Sequence, residues 1–138
     1  MQLAEDQARA MGHEYLGTEH LLLGLLGQPG TPAASALTNL GVDAGHVRSE
    51  IERTIGPGER EVLGDIPLTP LAERALRRTM EEAAAAGQDK AGAEQLLLGL
   101  AGEQGGLAAR ILLTLDVSPE QIRDALSRRP EAAGGEND

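Results

Sequence analysis

Apolar positions along this chain gather in short leucine- and alanine-rich blocks at helical spacing, each closed by glycine or by a Gly/Pro turn. Leucine blocks over 18–27 and 93–102 each predict a short helix, entered through Gly17-Thr18 or Gly92-Ala93. In the first, Thr18 reads as the N-cap; the second, with alanine there, lacks that cap. Small-residue blocks over 32–40 and 106–115 predict another helix in each half. Asp43 and Ser118 read as N-caps of a further pair, in which Val47 and Ile51, or Ile122 and Leu126, lie one turn apart. A longer helix is predicted from Thr69-Pro70, with Thr69 as N-cap and proline at the first position, to Gly87 at its C-terminal end.

These blocks are one sequence written twice. Shifted by 75 residues, 12–42 align without a gap on 87–117, and 15 of the 31 positions are identical. Self-similarity of this kind marks a tandem structural unit. By the same offset the opening helix of the first copy begins at position −6, so Met1 falls inside it. The expected fold is all-α: eight helices as two pseudo-symmetric four-helix repeats. Residues 1–56 form the first repeat, 57–68 a linker of Gly, Pro and charge, 69–129 the second repeat and 130–138 a disordered tail. Leu21, Leu22, Leu25, Leu37, Leu40 and Val42, with Leu96, Leu97, Leu100, Leu112, Leu115 and Val117, should form the core, as two small bundles packed against each other.

Composition narrows the function. The 138 residues include no Trp, Phe or Cys and one Tyr, so close helix packing must replace aromatic rings, and disulfide scaffolds, zinc ribbons and thiol catalysis are excluded. A formal charge of −10 without a basic stripe argues against nucleic acid. No apolar run approaches the roughly 20 residues of a membrane span, and no signal-peptide pattern opens the chain, so no membrane partner and a cytoplasmic location are expected.

Candidate chemistry is sparse. His13 and His20 lie seven apart with a glycine break between them, unlike the i, i+4 pair of a zinc-protease helix, and they become Gln88 and Gln95 in the second copy. No metal and no cofactor is expected; the three histidines, His46 included, read as solvent-facing or capping. Glu19 is kept as Glu94. A carboxylate in the first turn of a helix is favoured by the macrodipole, and it is also a good acceptor for a ligand guanidinium. Thr69 caps its helix, yet a helix start can also hold an anion. If packing brings Thr69 near Glu94, one pocket would suit a zwitterionic group. No nucleophile elbow or phosphate-binding loop is present, so no catalytic residue is expected.

The stretches "LGTEHLLLGLL", "AGAEQLLLGLA", "ARAMGHEYLG" and "LTPLAERAL", with the 75-residue repeat, resemble the Clp N-terminal domain, the double Clp repeat at the front of ClpC- and ClpA-type unfoldases, and the ClpC branch fits best. The likeness covers about 1–129. It implies an eight-helix, non-enzymatic domain that recruits adaptor proteins and substrate proteins or peptides to a ClpC-type AAA+ unfoldase, and that recognises phosphoarginine on marked proteins. By that resemblance each repeat offers a glutamate for the guanidinium and a threonine for the phosphate. Glu94 and Thr69 match the second site and Glu19 the first. An alternative is a free-standing decoy that sequesters substrates or toxic cyclic peptides from the unfoldase; an enzyme or metal protein built on His13, Glu14, Glu19 and His20 is a third, weaker alternative.

Overall fold

The computed structural model describes residues 2–56, 58 and 64–127. Met1, half of the predicted linker (57 and 59–63) and the predicted tail at 130–138 lie outside the described residues. Among the described residues eight α-helices account for the regular structure: α1 Gln2–Ala10, α2 Thr18–Leu26, α3 Pro32–Asn39, α4 Ala44–Thr54, α5 Pro70–Ala85, α6 Ala93–Gly102, α7 Leu107–Thr114 and α8 Pro119–Ser127. The all-α expectation holds. So does the repeat, since α2, α3 and α4 begin 75 residues before α6, α7 and α8.

Local chemistry explains most of these ends. Thr69 Oγ1 accepts the Ala72 N–H at 3.0 Å and Pro70 opens α5, while Asp43 accepts from His46 N–H at 2.8 Å to open α4. At α8 the cap is reciprocal: Gln121 N–H donates to Ser118 Oγ at 3.2 Å, and Ser118 N–H to Gln121 Oε1 at 2.7 Å. Past the third helix of each copy the chain turns through a left-handed residue, Gly41 with φ 87° in the first and Asp116 with φ 65° in the second. Both turns close alike, Val42 N–H on Leu37 O and Val117 N–H on Leu112 O, each at 2.8 Å.

The leucine helices α2 and α6 hold the centre, and each accepts a neighbour closely through a glycine. A Cβ on Gly24 would lie 3.1 Å from Ala4 N in α1; a Cβ on Gly99 would lie 2.7 Å from Ala75 O in α5. Of the predicted core residues, Leu40, Leu96 and Leu115 are only partly buried and the other nine are fully so.

The two repeats do not pack as two bundles. A single apolar cluster runs through both, because third helices cross over: α3 packs on α6 and α8, and α7 on α2 and α4. A four-helix unit of short, alanine-rich helices has too little apolar surface to close on itself, and interlocking shares the large leucines between copies. The joining segment takes part where it is described. Ile66 is buried, and Leu16 and Leu68 form a parallel bridge, with Leu16 N–H on Pro67 O at 2.8 Å and Thr69 N–H on Leu16 O at 3.0 Å.

Candidate functional site

The opening of α2 carries the densest polar chemistry. Its N-cap is Gly17, not Thr18 as the sequence suggested, so no side chain at the cap itself satisfies the first N–H groups. His20 supplies the return half instead: Gly17 N–H donates to His20 Nδ1 at 2.9 Å. In the second copy Gly92 N–H donates to Gln95 Oε1 at 2.7 Å. The His-to-Gln exchange therefore preserves an acceptor at one position, and "GAEQ" does not lose its cap as expected.

Thr18 has a different task. Its hydroxyl accepts the Ala108 N–H at 3.0 Å, capping α7 from 90 residues away. The N-cap of that helix is Gly106, which has no side-chain oxygen, whereas its counterpart α3 is capped by its own Thr31, through Ala34 N–H at 3.2 Å. The copies thus differ in a compensated way: where Thr31 is present, Ala93 needs no hydroxyl, and where Gly106 stands, Thr18 provides one.

His13 and His20 are buried, at 4% and 0% exposure, so neither faces solvent, and of the two His20 meets the expectation of a capping role. His13 Nδ1 lies 2.8 Å from His20 Nε2, and His13 Nε2 lies 2.9 Å from Gly56 O. Only one proton arrangement satisfies every partner. Gly17 N–H fixes His20 Nδ1 as an acceptor, so His20 Nε2–H donates to His13 Nδ1, and His13 Nε2–H donates to the Gly56 carbonyl. Both rings are neutral in this relay, and burial pushes the His20 pKa down to about 4. Exposed His46 instead pairs with Asp43 at 3.1 Å. Among the described residues no three His, Asp or Glu side chains converge as a metal site.

Glu19, in the first turn of α2, is 4% exposed. Its carboxyl folds back over Gly17, where a Cβ would collide with it. Burial raises its pKa, opposed by its own backbone N–H and by the Tyr15 hydroxyl. Tyr15 in turn is pushed up to about 12, by burial first and then by the Glu19 charge.

Glu19 lines a cavity of about 290 Å³ together with Tyr15, Thr54, Thr69, Leu71 and Arg110. Glu94 lines another, of about 660 Å³, with Thr31, Gln88, Asp89 and Lys90. Thr69 therefore shares a cavity with Glu19 rather than with Glu94, the partner that the resemblance implies. The cause is the Leu16–Leu68 bridge, which lays the start of α5 alongside the entry to α2. The two cavities are related by the repeat: Lys90 stands where Tyr15 does, and the counterpart of Thr69 falls at −6, outside this sequence. Tyr15 and Arg110 were missed because a comparison of the copies highlights what both keep, while these residues occur in one.

A third, apolar groove of about 440 Å³ runs between the α1–α2 and α5–α6 pairs, lined by Leu3, Leu21, Leu25, Leu76, Met80 and Leu96 among others. It shares Ala91, Gly92 and Ala93 with the Glu94 cavity, so the two are contiguous. Met80, 55% exposed, stands at its edge.

Comparison with known proteins gives a consistent picture. Residues 1–115 and 72–133 match the family described as the Clp repeat (R) N-terminal domain. The chain is 43% identical over 126 residues to the chloroplastic chaperone protein ClpC1 of Oryza sativa subsp. japonica, covering 91% of this chain and 14% of that protein. It is 42% identical over 126 residues to the Clp protease ATP-binding subunit ClpA homolog of Guillardia theta, covering 15% of it. The chain thus spans about a seventh of the length of these relatives. Among solved structures, the N-terminal domain of the chaperone ClpD from Arabidopsis thaliana superposes with a TM-score of 0.71 at 19% identity, covering 94% of this chain and 88% of that one. The Hsp104 N-terminal domain from Candida albicans gives 0.71 at 15% identity, over 99% and 87%. These last two likenesses are of fold.

Proposed function

Because the chain belongs to the Clp repeat N-terminal domain family, we propose that it serves as the recruiting domain of a ClpC-type AAA+ unfoldase, presenting adaptor proteins and substrate proteins or peptides to it. The more specific reading is that the Glu19 cavity receives phosphoarginine on substrates. One observation carries it: a buried carboxylate and the N-terminal end of α5 face the same cavity. A desolvated carboxylate is a strong acceptor for a guanidinium, and the start of a helix offers open N–H donors to an anion. Pro70 has no N–H and the Ala72 N–H is taken by Thr69, so Leu71 carries the open donor of that turn. Glu94 would be the guanidinium acceptor of the related cavity.

The apolar groove supports the broader role, since an unfolded segment exposes leucine-like side chains that such a surface accepts. Titration calorimetry with free phosphoarginine tests the specific reading. Binding that Glu19→Gln abolishes is the expected result. If wild-type protein takes up no phosphoarginine even in the high micromolar range, the reading is wrong, and the adaptor and substrate role must rest on the groove.

A further inference from the structure

Arg110 is the feature of the Glu19 cavity that the repeat does not account for. It projects from α7 into the wall of the same cavity, is exposed, and its guanidinium makes no hydrogen bond or ion pair among the described residues. Its counterpart by the 75-residue offset is Ser35, which does not line the Glu94 cavity. A carboxylate and a guanidinium thus border one cavity with no ion pair between them among the described residues. Glu19 is fixed against Gly17 at the start of α2, and α7 is fixed to that same turn by the Thr18 cap. The space between them suits a ligand carrying both charges in the opposite order.

Resting on the phosphoarginine reading of this cavity, we infer that Arg110 is its phosphoryl-recognising side chain and makes the Glu19 cavity, rather than the Glu94 cavity, the one that tells phosphoarginine from arginine. Glu19 holds the guanidinium end, which both ligands share. Arg110 and the open N–H of Leu71 hold the phosphoryl oxygens, which only one ligand has. The guanidinium fork suits two such oxygens at once. Lys90, in the Glu94 cavity, occupies the Tyr15 position of the repeat, so that cavity has no counterpart of Arg110.

The test is titration of the full 138-residue chain with phosphoarginine and, separately, with arginine, using wild type, Arg110→Ala, Arg110→Lys and Glu94→Ala. A hydrogen-bonded charged contact is worth about tenfold or more in affinity. Arg110→Ala should lose that factor for phosphoarginine and leave arginine binding within about twofold. Arg110→Lys should recover part of it, and Glu94→Ala should leave the preference for phosphoarginine over arginine in place. A structural role for Arg110 would weaken both ligands equally. An unchanged preference in Arg110→Ala, or a preference lost in Glu94→Ala, overturns the assignment while the phosphoarginine reading stands. Absence of phosphoarginine binding by wild type overturns that reading and the assignment with it.

Discussion

Replacing His20 by glutamine isolates the protonation of one buried ring. Glutamine keeps an acceptor for the Gly17 N–H, as Gln95 does in the second copy, so the helix start survives the change. What disappears is a group whose pKa falls from 6.5 to about 4 on folding. A depressed folded pKa means that the neutral ring's contribution is fully present above 6.5 and lost as pH falls toward 4. At about 1.4 kcal/mol per unit, the whole interval is worth about 3 kcal/mol. Between pH 7 and pH 5 the wild type should lose about 2 kcal/mol relative to His20→Gln. Glu19, whose pKa is raised, gains stability in the same window, but it is present in both proteins and largely cancels in the difference. Urea unfolding of both proteins at the two pH values, followed by far-ultraviolet circular dichroism, measures it. If the stability difference between them stays within about 0.5 kcal/mol across that range, the neutral relay does not describe the folded state.

Glu19→Gln should raise the melting temperature at neutral pH, because a carboxylate whose pKa is raised by burial costs stability once ionised; the gain should fade below the unfolded carboxylate pKa, and calorimetric melts at pH 7 and pH 4 would show it. Thr18→Val removes the cap of α7 and leaves the buried Ala108 N–H without its acceptor, a loss of about 1–3 kcal/mol by urea titration, with hydrogen exchange at the α7 amides rising although they lie 90 residues from the mutation. Gly99→Ala should cost about 1–3 kcal/mol, since the new methyl meets the Ala75 carbonyl at 2.7 Å and the Thr79 nitrogen at 2.9 Å. Gly24→Ala, which meets Ala4 N at 3.1 Å, should be milder, its clash offset by the roughly 1 kcal/mol that alanine gains over glycine in a helix.

Helix count and register were legible because short-range rules set them. Thr69-Pro70, Asp43 and Ser118 each cap with an atom three residues away, and the 75-residue identity carries one copy's pattern onto the other. What the sequence hid was long-range. Thr18 looked like a cap for its own helix because a threonine before leucines usually is; its hydroxyl instead serves α7, and nothing local announces a partner 90 residues on. The pairing of Thr69 with Glu94 failed for the same reason. Pairing two residues of one repeat assumes that each repeat closes on itself, whereas the Leu16–Leu68 bridge carries the start of α5 to the other copy. Persistence as histidine says little at the His20 position, because the fold requires only an acceptor there, which Gln95 supplies in the second copy.

Interlocking also decides where recognition can reside. The Glu19 cavity takes Tyr15, Thr54 and Glu19 from the first repeat and Thr69, Leu71 and Arg110 from the second, so neither repeat contains it alone. Its walls are joined by the Thr18 cap and the Leu16–Leu68 bridge, both of which cross between copies. Duplication gave two starting positions for a carboxylate at the head of a leucine helix. Because each position faces the other repeat's elements, changes in one copy alter only one cavity. Arg110 opposite Ser35, and Tyr15 opposite Lys90, are changes of that kind. The pseudo-symmetric frame therefore holds two pockets with the same acid and different surroundings.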